Sequence, residues 1–328
     1  MRASKIVSFS IVILLITILF TGAVTVPAAA QSDMMMFRYN AQHTGDYSPV
    51  AGNNTSKGLL TWSFTTGNTV FSSPAVVNGV IYVGSYDNNV YAINATTGAK
   101  LWSFTTGNYV LSSPAVANGV VYVGSDDNNT YALNATTGAK LWNYTTGNYV
   151  RSSPAVANGV VYVGSDDNNT YALNATTGAK LWNYTTGNAV LSSPAVVNGT
   201  VYVGSYDSNI YALNATTGTK LWNYTTGGDV YSSPAVANGT VYVGSSDNNV
   251  YALNATTGKV TWSFTTGDYV LSSPAVSNGE VYVGSVDGNI YAIGNAAAAT
   301  SQGTTPGFDV ILAFFGLVIA AYVVRRRS

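Results

Sequence analysis

Short apolar runs alternate with turn-forming residues along most of this chain. In one stretch, Pro114–Ala117 leads through Asn118-Gly119 into the apolar run Val120–Ser125. An Asn-Gly pair between two apolar runs is typical of a β-hairpin, because a type I′ turn needs positive φ at both turn positions. Further polar turns precede Thr130–Asn134 and Lys140–Tyr144. The pattern predicts four short strands, A to D, and contains no helical periodicity.

This four-strand pattern repeats every 40 residues. Residues 108–147 and 148–187 differ at one position, where Leu111 is replaced by Arg151. A unit of this size cannot bury its apolar face alone, so stacked units must share one core. The repeated stretch SSPAV begins at Ser72, Ser112, Ser152, Ser192, Ser232 and Ser272.

The order of strands at the two ends of the array predicts a ring. A D-type strand, Leu59–Phe64, precedes the first A strand, and the last unit runs only to its C strand, Ile290–Ile293. If the first strand completes the last unit, no sheet edge stays unpaired at the junction. We therefore predict an all-β fold over residues 58–295. It is a six-bladed β-propeller of four-stranded antiparallel blades, closed by the N-terminal strand.

The turn between strands C and D carries a family resemblance. Ala132–Trp142 reads ALNATTGAKLW, which resembles the A-x-D-x-x-T-G-x-x-x-W motif of pyrroloquinoline-quinone (PQQ)-type propeller repeats. The resemblance implies that each tryptophan docks one blade against its neighbour. These residues are Trp62, Trp102, Trp142, Trp182, Trp222 and Trp262. Asparagine replaces the family's aspartate at Asn94, Asn134, Asn174, Asn214 and Asn254.

The N-terminal region has the layout of a secretory signal. Basic residues precede the apolar run Ile6–Phe20, and three alanines ending at Ala30 precede Gln31. This order is typical of a cleaved signal peptide. We predict a signal peptide over residues 1–30 and a lead segment over residues 31–57.

The C-terminal region, residues 306–328, follows a linker predicted over residues 296–305. Pro306, Gly307 and Phe308 precede the apolar run Val310–Val324, which ends in three arginines. The layout resembles the PGF-type sorting signal of archaeal surface proteins, which is removed and replaced by a lipid anchor. The alternative is a retained membrane helix, for which the run is shorter than the roughly 20 residues that normally span a bilayer. Both interpretations attach the propeller to the outer face of the cell membrane.

Composition restricts the function further. The chain has no cysteine, 8% charged residues and a formal net charge of −1. Nucleic-acid-binding proteins carry clustered Lys and Arg, so we expect no nucleic-acid partner. Solubility must have another source, and the chain is rich in N-x-[ST] glycosylation sequons. Five of them are the asparagines that replace the family's aspartate, and we predict glycosylation there.

The family resemblance also implies a quinoprotein enzyme that holds PQQ and Ca²⁺. The chain has one glutamate, Glu280, one histidine, His43, and no pair of titratable groups suited to acid–base catalysis. One aspartate recurs in every B–C turn, which suits either a tight turn or a ring of weak Ca²⁺ sites; we favour the turn. We expect a non-catalytic protein without PQQ or Ca²⁺.

Differences among the copies concentrate in the D–A loop and the B–C turn, which an antiparallel meander places on one face. Loops tolerate change, so drift alone could produce this pattern. The alternative is a binding face centred on Arg151. We predict ligand contacts by Tyr86, Tyr109, Tyr149, Tyr206, Tyr231, Asp126, Asp166 and Arg151. The expected function is binding or scaffolding of envelope proteins or glycans, and the alternative is a passive component of the surface coat.

Overall fold

A computed structural model describes Met34–Met35, Asn40 and residues 60–294. The predicted signal peptide, linker and C-terminal signal lie outside the described residues, as do Ala30, Pro306, Gly307 and Phe308. Within the described part, no helix is long and apolar enough to cross a membrane.

The described residues form six antiparallel sheets, which we call blades 1 to 6. Blade 1 contains β1 (Met34–Met35), β2 (Ala75–Val77), β3 (Val80–Gly84), β4 (Asn89–Asn94) and β5 (Lys100–Thr105). Blade 2 contains β6 (Ala115–Ala117), β7 (Val120–Gly124), β8 (Asn129–Asn134) and β9 (Lys140–Thr145). Blade 3 contains β10 (Ala155–Ala157), β11 (Val160–Gly164), β12 (Asn169–Asn174) and β13 (Lys180–Thr185).

The remaining blades repeat this order of strands. Blade 4 contains β14 (Ala195–Val197), β15 (Thr200–Gly204), β16 (Asn209–Asn214) and β17 (Lys220–Thr225). Blade 5 contains β18 (Ala235–Ala237), β19 (Thr240–Gly244), β20 (Asn249–Asn254) and β21 (Val260–Thr265). Blade 6 contains β22 (Ala275–Ser277), β23 (Glu280–Gly284) and β24 (Ile290–Ile293). The predicted all-β class and strand order are confirmed.

Local turn chemistry explains why each unit forms these strands. Asn118 and Gly119 have φ of 51° and 75°, as the predicted type I′ hairpin requires. Asn128 adopts a φ of 69° in the B–C turn, and asparagine tolerates that left-handed conformation better than most residues. The two turns therefore set the register in which the strands of blade 2 pair.

Neighbouring blades are joined by a repeated set of contacts around each tryptophan. Trp102 Nε1 donates to the carbonyl oxygen of Ala135 in the next blade at 2.9 Å, and the Tyr82 hydroxyl donates to the same oxygen at 3.1 Å. The Tyr82 and Trp102 ring centroids lie 5.9 Å apart. Trp62, Trp142, Trp182 and Trp222 make the equivalent hydrogen bond.

A second set of contacts joins the A strands on the inner side of the blades. The backbone N–H of Ser113 donates to Ser153 Oγ at 2.9 Å, one unit further along the chain. Val110 is fully buried against Gly84, where an added Cβ would come within 2.3 Å of a valine methyl group. The core therefore runs continuously from blade to blade instead of lying within each sheet.

The two ends of the array depart from four-stranded blades. Blade 1 has a fifth strand, because β1 pairs with the inner edge of β2, with Met34 opposite Val77. The prediction of four strands is wrong there, since β2 offered unpaired backbone groups to the lead segment. Blade 6 has three strands. Residues 60–64 of the predicted N-terminal strand form no strand, and ring closure is not observed in the described part of the chain.

Two glycines test the importance of the tryptophan contact. Gly119 and Gly138 both have positive φ, 75° and 73°, but only Gly138 faces a neighbour, with an added Cβ 2.7 Å from the Trp102 ring. We expect Gly119→Ala to lower the free energy of unfolding by about 1–2 kcal/mol, because alanine is strained in the left-handed backbone conformation. Gly138→Ala should cost about 1–3 kcal/mol more through overpacking. Denaturant unfolding of both variants measures the difference, and equal losses would contradict this role of the tryptophan contact.

Candidate functional site

The shared aspartate of each B–C turn fastens the turn to the preceding D–A loop. Asp127 Oδ2 accepts hydrogen bonds from the Gly107 backbone N–H and the Tyr131 hydroxyl, both at 2.6 Å. Its Oδ1 accepts the backbone N–H of Asn129 at 3.0 Å and that residue's side-chain amide at 3.1 Å. The glycine, tyrosine and backbone asparagine bonds recur at Asp87, Asp167, Asp207, Asp247 and Asp287. The interpretation of these aspartates as turn residues is confirmed.

These hydrogen bonds shift the acidity of both partners. The bond from Tyr291 lowers the pKa of Asp287 to about 2. Burial and the bond to Asp87 raise the pKa of Tyr91 to about 12. Burial alone would raise the carboxyl pKa, but hydrogen bonds outweigh it and lower the pKa at Asp87, Asp207 and Asp247. Because these folded-state pKa values lie below the unfolded value, their stabilisation is present above about pH 4 and lost as the pH falls through them.

The variable D–A loop and B–C turn lie side by side, as predicted. The backbone N–H of Asp126 donates to the carbonyl oxygen of Tyr109 at 2.8 Å, and Asp166 bonds Tyr149 in the same way at 2.9 Å. Equivalent bonds join Tyr86 to Thr69, Tyr206 to Ala189, Ser246 to Asp229 and Val286 to Tyr269. We call the surface formed by residues 68–71 and 86, and by their equivalents in the other units, the variable face.

Arg151 is the centre of an ion cluster on the variable face. Its Nε and Nη2 contact the two oxygens of Asp126, each at 3.1 Å, and its Nη1 lies 3.5 Å from Asp166 Oδ2. Its guanidinium carbon lies 4.7 Å from the Tyr149 ring centroid. The side chains of Asp126 and Asp166 are 5% and 13% exposed, and that of Arg151 is 35% exposed. The structure thus brings together four of the predicted ligand residues, and the arginine bridges carboxylates of two neighbouring blades.

Burial and ion pairing both shift the pKa values in this cluster. Burial raises the pKa of Asp166, the Arg151 charge opposes that rise, and the negative charge of Asp126 adds to it. Oδ1 of Asp166 is buried without a hydrogen-bond partner in the described part of the chain. The hydrogen bonds to Asp126 raise the pKa of Arg151. Asp166 is therefore a charged group held in place chiefly by one cation.

Aromatic side chains flank this cluster. Tyr86 and Tyr109 stack with ring centroids 4.8 Å apart and planes 8° apart, and Phe71 lies 4.9 Å from Tyr86. Tyr206 and Tyr231 form a second pair, with centroids 4.0 Å apart. We call these five residues the aromatic rim. Phe71 is 65% exposed and is absent from the predicted ligand residues, although it occupies the position of Arg151 in its own unit.

The asparagines predicted as glycosylation sites act as turn caps. Asn134 Oδ1 accepts the backbone N–H groups of Thr136 and Thr137, each at 3.0 Å. The side chain is half-buried, beside the turn that receives Trp102. The same capping bonds are made by Asn94, Asn174, Asn214 and Asn254. Their modification stays a prediction.

Within the described residues, no group of three or more His, Cys, Asp or Glu side chains could hold a metal ion. The variable face instead has an ion cluster closed by an arginine and two groups of aromatic rings. This arrangement is suited to recognition through stacking and hydrogen bonding.

The sequence of the repeats matches a known family. The family described as "beta-alanine-activating enzyme, beta-propeller" matches residues 54–236, more than half of the chain. The chain belongs to this β-propeller family. Within the propeller, residues 227–301 also match the family of the outer membrane protein assembly factor BamB. The PGF-CTERM motif matches residues 305–327 and indicates C-terminal anchoring at the cell surface.

Solved structures share the propeller fold at low sequence identity. BamB from Moraxella catarrhalis is 21% identical, with a TM-score of 0.50 over 71% of this chain and 87% of that chain. A computationally designed protein is 17% identical, with a TM-score of 0.63 over 68% and 70%. The quinohemoprotein alcohol dehydrogenase ADHIIG from Pseudomonas putida HK5 is 18% identical, with a TM-score of 0.64 over 76% and 56%. No curated protein matches the propeller in sequence.

The ion cluster gives a testable consequence for stability. Arg151→Leu restores the residue of the neighbouring unit but leaves Asp126 and Asp166 without their cation. We expect the free energy of unfolding to fall by about 1–3 kcal/mol at pH 7. This loss is smaller than for a fully buried pair because the arginine is partly exposed. Removing the arginine should raise the pKa of Asp166 further, so the loss should shrink as the pH falls from 7 towards 4. Unfolding curves at both pH values measure this, and a pH-independent loss would contradict it.

Proposed function

We propose that this protein is a non-catalytic binding module of the cell surface and that its aromatic rim binds a neutral glycan. The observation that carries the proposal is the aromatic rim itself, five rings on one face, of which Phe71 and Tyr231 are 65% and 41% exposed. The PGF-CTERM match supports a position at the cell surface. Among the parts of the chain that the structure describes, this face also carries much of the variation between copies.

The chemistry of the rim favours an uncharged, ring-shaped ligand. Tyrosine offers a flat apolar face for stacking and a hydroxyl for hydrogen bonding, with little conformational entropy to lose. The cation beside the rim is already engaged, because Arg151 bonds Asp126 and Asp166, and two carboxylates against one guanidinium leave this cluster net negative. An anionic ligand would have to break the cluster to reach the arginine, whereas a neutral sugar ring can stack without disturbing it.

Absence of catalysis is part of this proposal. The recurring carboxylates beside the variable face, Asp127 and its equivalents, already accept hydrogen bonds from the protein's own groups. Asp126 is likewise engaged by Arg151. These contacts support a face that needs neither PQQ nor Ca²⁺.

The rim can be tested with residues that the neighbouring units already use. Phe71→Leu, Tyr86→Ser, Tyr206→Ser and Tyr231→Leu each copy another unit, so the variants should fold. Each lost ring should weaken binding by about 0.5–1.5 kcal/mol. Calorimetry with neutral mannose, glucose and galactose oligosaccharides measures this, and Val286→Ser serves as the control. Failure of the parent protein to bind any of them would favour a passive coat component.

We also propose that the array closes into a ring of six blades. The loop that leads into each of blades 2 to 6 buries a valine against the end of the preceding blade's B strand, whereas the equivalent Val70, which precedes blade 1, is 45% exposed. Tyr282 is 39% exposed, whereas its equivalents Tyr82 and Tyr122 are nearly fully buried. The residues that would form a sixth junction are thus present at the two ends of the array and unused.

The N-terminal end is already arranged for that junction. Trp62 Nε1 donates to the carbonyl oxygen of Ala95 at 3.0 Å, and the Gly67 N–H donates to Asp87 Oδ2 at 2.6 Å. These bonds place residues 60–67 on blade 1 as β5 is placed on blade 2. On the other side, Ile290 of β24 is 84% exposed, whereas Val90 and Val250 at its position are fully buried. Pairing of residues 60–65 with β24 would bury both edges.

A cysteine pair tests closure in this cysteine-free chain. Asn249 pairs with Thr265 in blade 5, so ring closure should place Asn289 opposite Thr65. Opposed Cα atoms in such a pair lie within disulfide range. We expect Thr65→Cys with Asn289→Cys to form an intramolecular disulfide, as the control pair Thr265→Cys with Asn249→Cys should. Non-reducing electrophoresis and mass spectrometry read the result. Disulfide-linked oligomers, or free thiols while the control pair oxidises, would contradict closure.

A further inference from the structure

The outer strands of blades 2, 3 and 4 carry a sequon that the other outer strands lack. Strands β9, β13 and β17 read KLWNYT, whereas β5 and β21 have Ser103 and Ser263 at the asparagine position. The three asparagines are Asn143, Asn183 and Asn223. All three are exposed, whereas four of the five asparagines of the C–D turns are half-buried.

The structure presents the asparagine and threonine of each sequon together. Asn143 and Thr145 lie two residues apart on one face of β9, and both are exposed. Asn143 Nδ2 and Thr145 Oγ1 donate to the same acceptor, Asn129 Oδ1, at 2.9 and 2.7 Å. The same arrangement joins Asn183 and Thr185 to Asn169, and Asn223 and Thr225 to Asn209.

This geometry is compatible with a substituent on the side-chain nitrogen. An amide nitrogen carries two hydrogens, and Asn143 uses one hydrogen bond to Asn129. An N-linked sugar replaces one hydrogen and leaves the other, so that bond can persist. In blades 3 and 4 the asparagine Oδ1 accepts Lys180 Nζ at 3.2 Å and Lys220 Nζ at 3.0 Å. In these two blades the side chain is therefore held through both its oxygen and its nitrogen while it stays exposed.

The position on the blade indicates what the modification does. β9 pairs with β8 on one side, and its other edge has no strand partner in the described part of the chain. Unpaired edges are templates for association between molecules, and proteins usually protect them with charge. This chain has 8% charged residues. A glycan on the outer strand would shield the edge without charge.

We propose that Asn143, Asn183 and Asn223 are N-glycosylated and that these glycans block edge-to-edge association of the blades. In the reaction, Nδ2 attacks the anomeric carbon of a lipid-phosphate-linked oligosaccharide. The C–N bond forms, the C–O bond to the phosphate breaks, the lipid phosphate leaves and Nδ2 loses one proton. The proposal rests on the cell-surface location in the proposed function, but not on ligand binding by the aromatic rim.

Peptide mass spectrometry of the native protein from its producing cells tests the site. The tryptic peptide Leu141–Arg151 contains Asn143 as its single sequon. We expect this peptide to carry a glycan in the native protein. In the variant Asn143→Ser, which copies Ser103, the corresponding peptide should have the mass calculated for its own sequence without a glycan. Recovery of the native peptide at its unmodified mass alone would overturn the proposal, even if the rim binds sugars.

The triple variant Asn143→Ser, Asn183→Ser and Asn223→Ser tests the purpose of the glycans. Light scattering should show at least a severalfold rise in association for the triple variant in comparison with the parent from the same cells. Far-ultraviolet circular dichroism should be unchanged, because blades 1 and 5 fold with serine at this position. Equal association of the two proteins would refute edge protection. If the spectrum of the triple variant differs from that of the parent, the enzymatically deglycosylated parent replaces the variant in the comparison.

Discussion

Docking of each tryptophan into the turn of the next blade is the contact on which this architecture depends. The Ala135 carbonyl oxygen accepts hydrogen bonds from both Trp102 and Tyr82, so one acceptor ties two strands of blade 1 to blade 2. Gly138 makes room for the indole ring and also supplies the positive φ of the turn. Since every blade buries its core against its neighbour, the stability of the array depends on the contacts at each junction more than on the order of the copies.

The framework and the variable face are separated within each unit. The shared aspartate fastens the D–A loop to the B–C turn through side-chain bonds that do not involve the variable positions. Residues beside it, such as Tyr86 and Asp126, can therefore change without loosening the turn. A rigid blade with exchangeable side chains at one end is a common basis for recognition, because binding residues on loops rely on a firm scaffold.

Most strands could be predicted from sequence because their turns are local and chemically distinct, as at Asn118-Gly119. Strand β1 could not, since its formation reflects the free inner edge of β2 and not any alternation in residues 34–35. The variable face was predictable from the differences between copies. The shared face of Arg151, Asp126 and Asp166 was predictable in the same way, but the two-oxygen contact to a buried Asp126 was not, because the burial of that side chain depends on how neighbouring blades pack.

The placement of Arg151 also has a consequence for how such a gene can change. Tandem copies this similar can recombine out of register, adding or removing one whole unit while keeping the reading phase. Loss of residues 148–187 would remove Arg151 and Asp166 together but keep Asp126, which would then lie beside Leu191 in the new junction. That shortened descendant would inherit a buried charge without a counter-ion, whereas loss of residues 108–147 would keep Arg151 together with Asp166. This one side chain therefore favours retention of the copy that carries it.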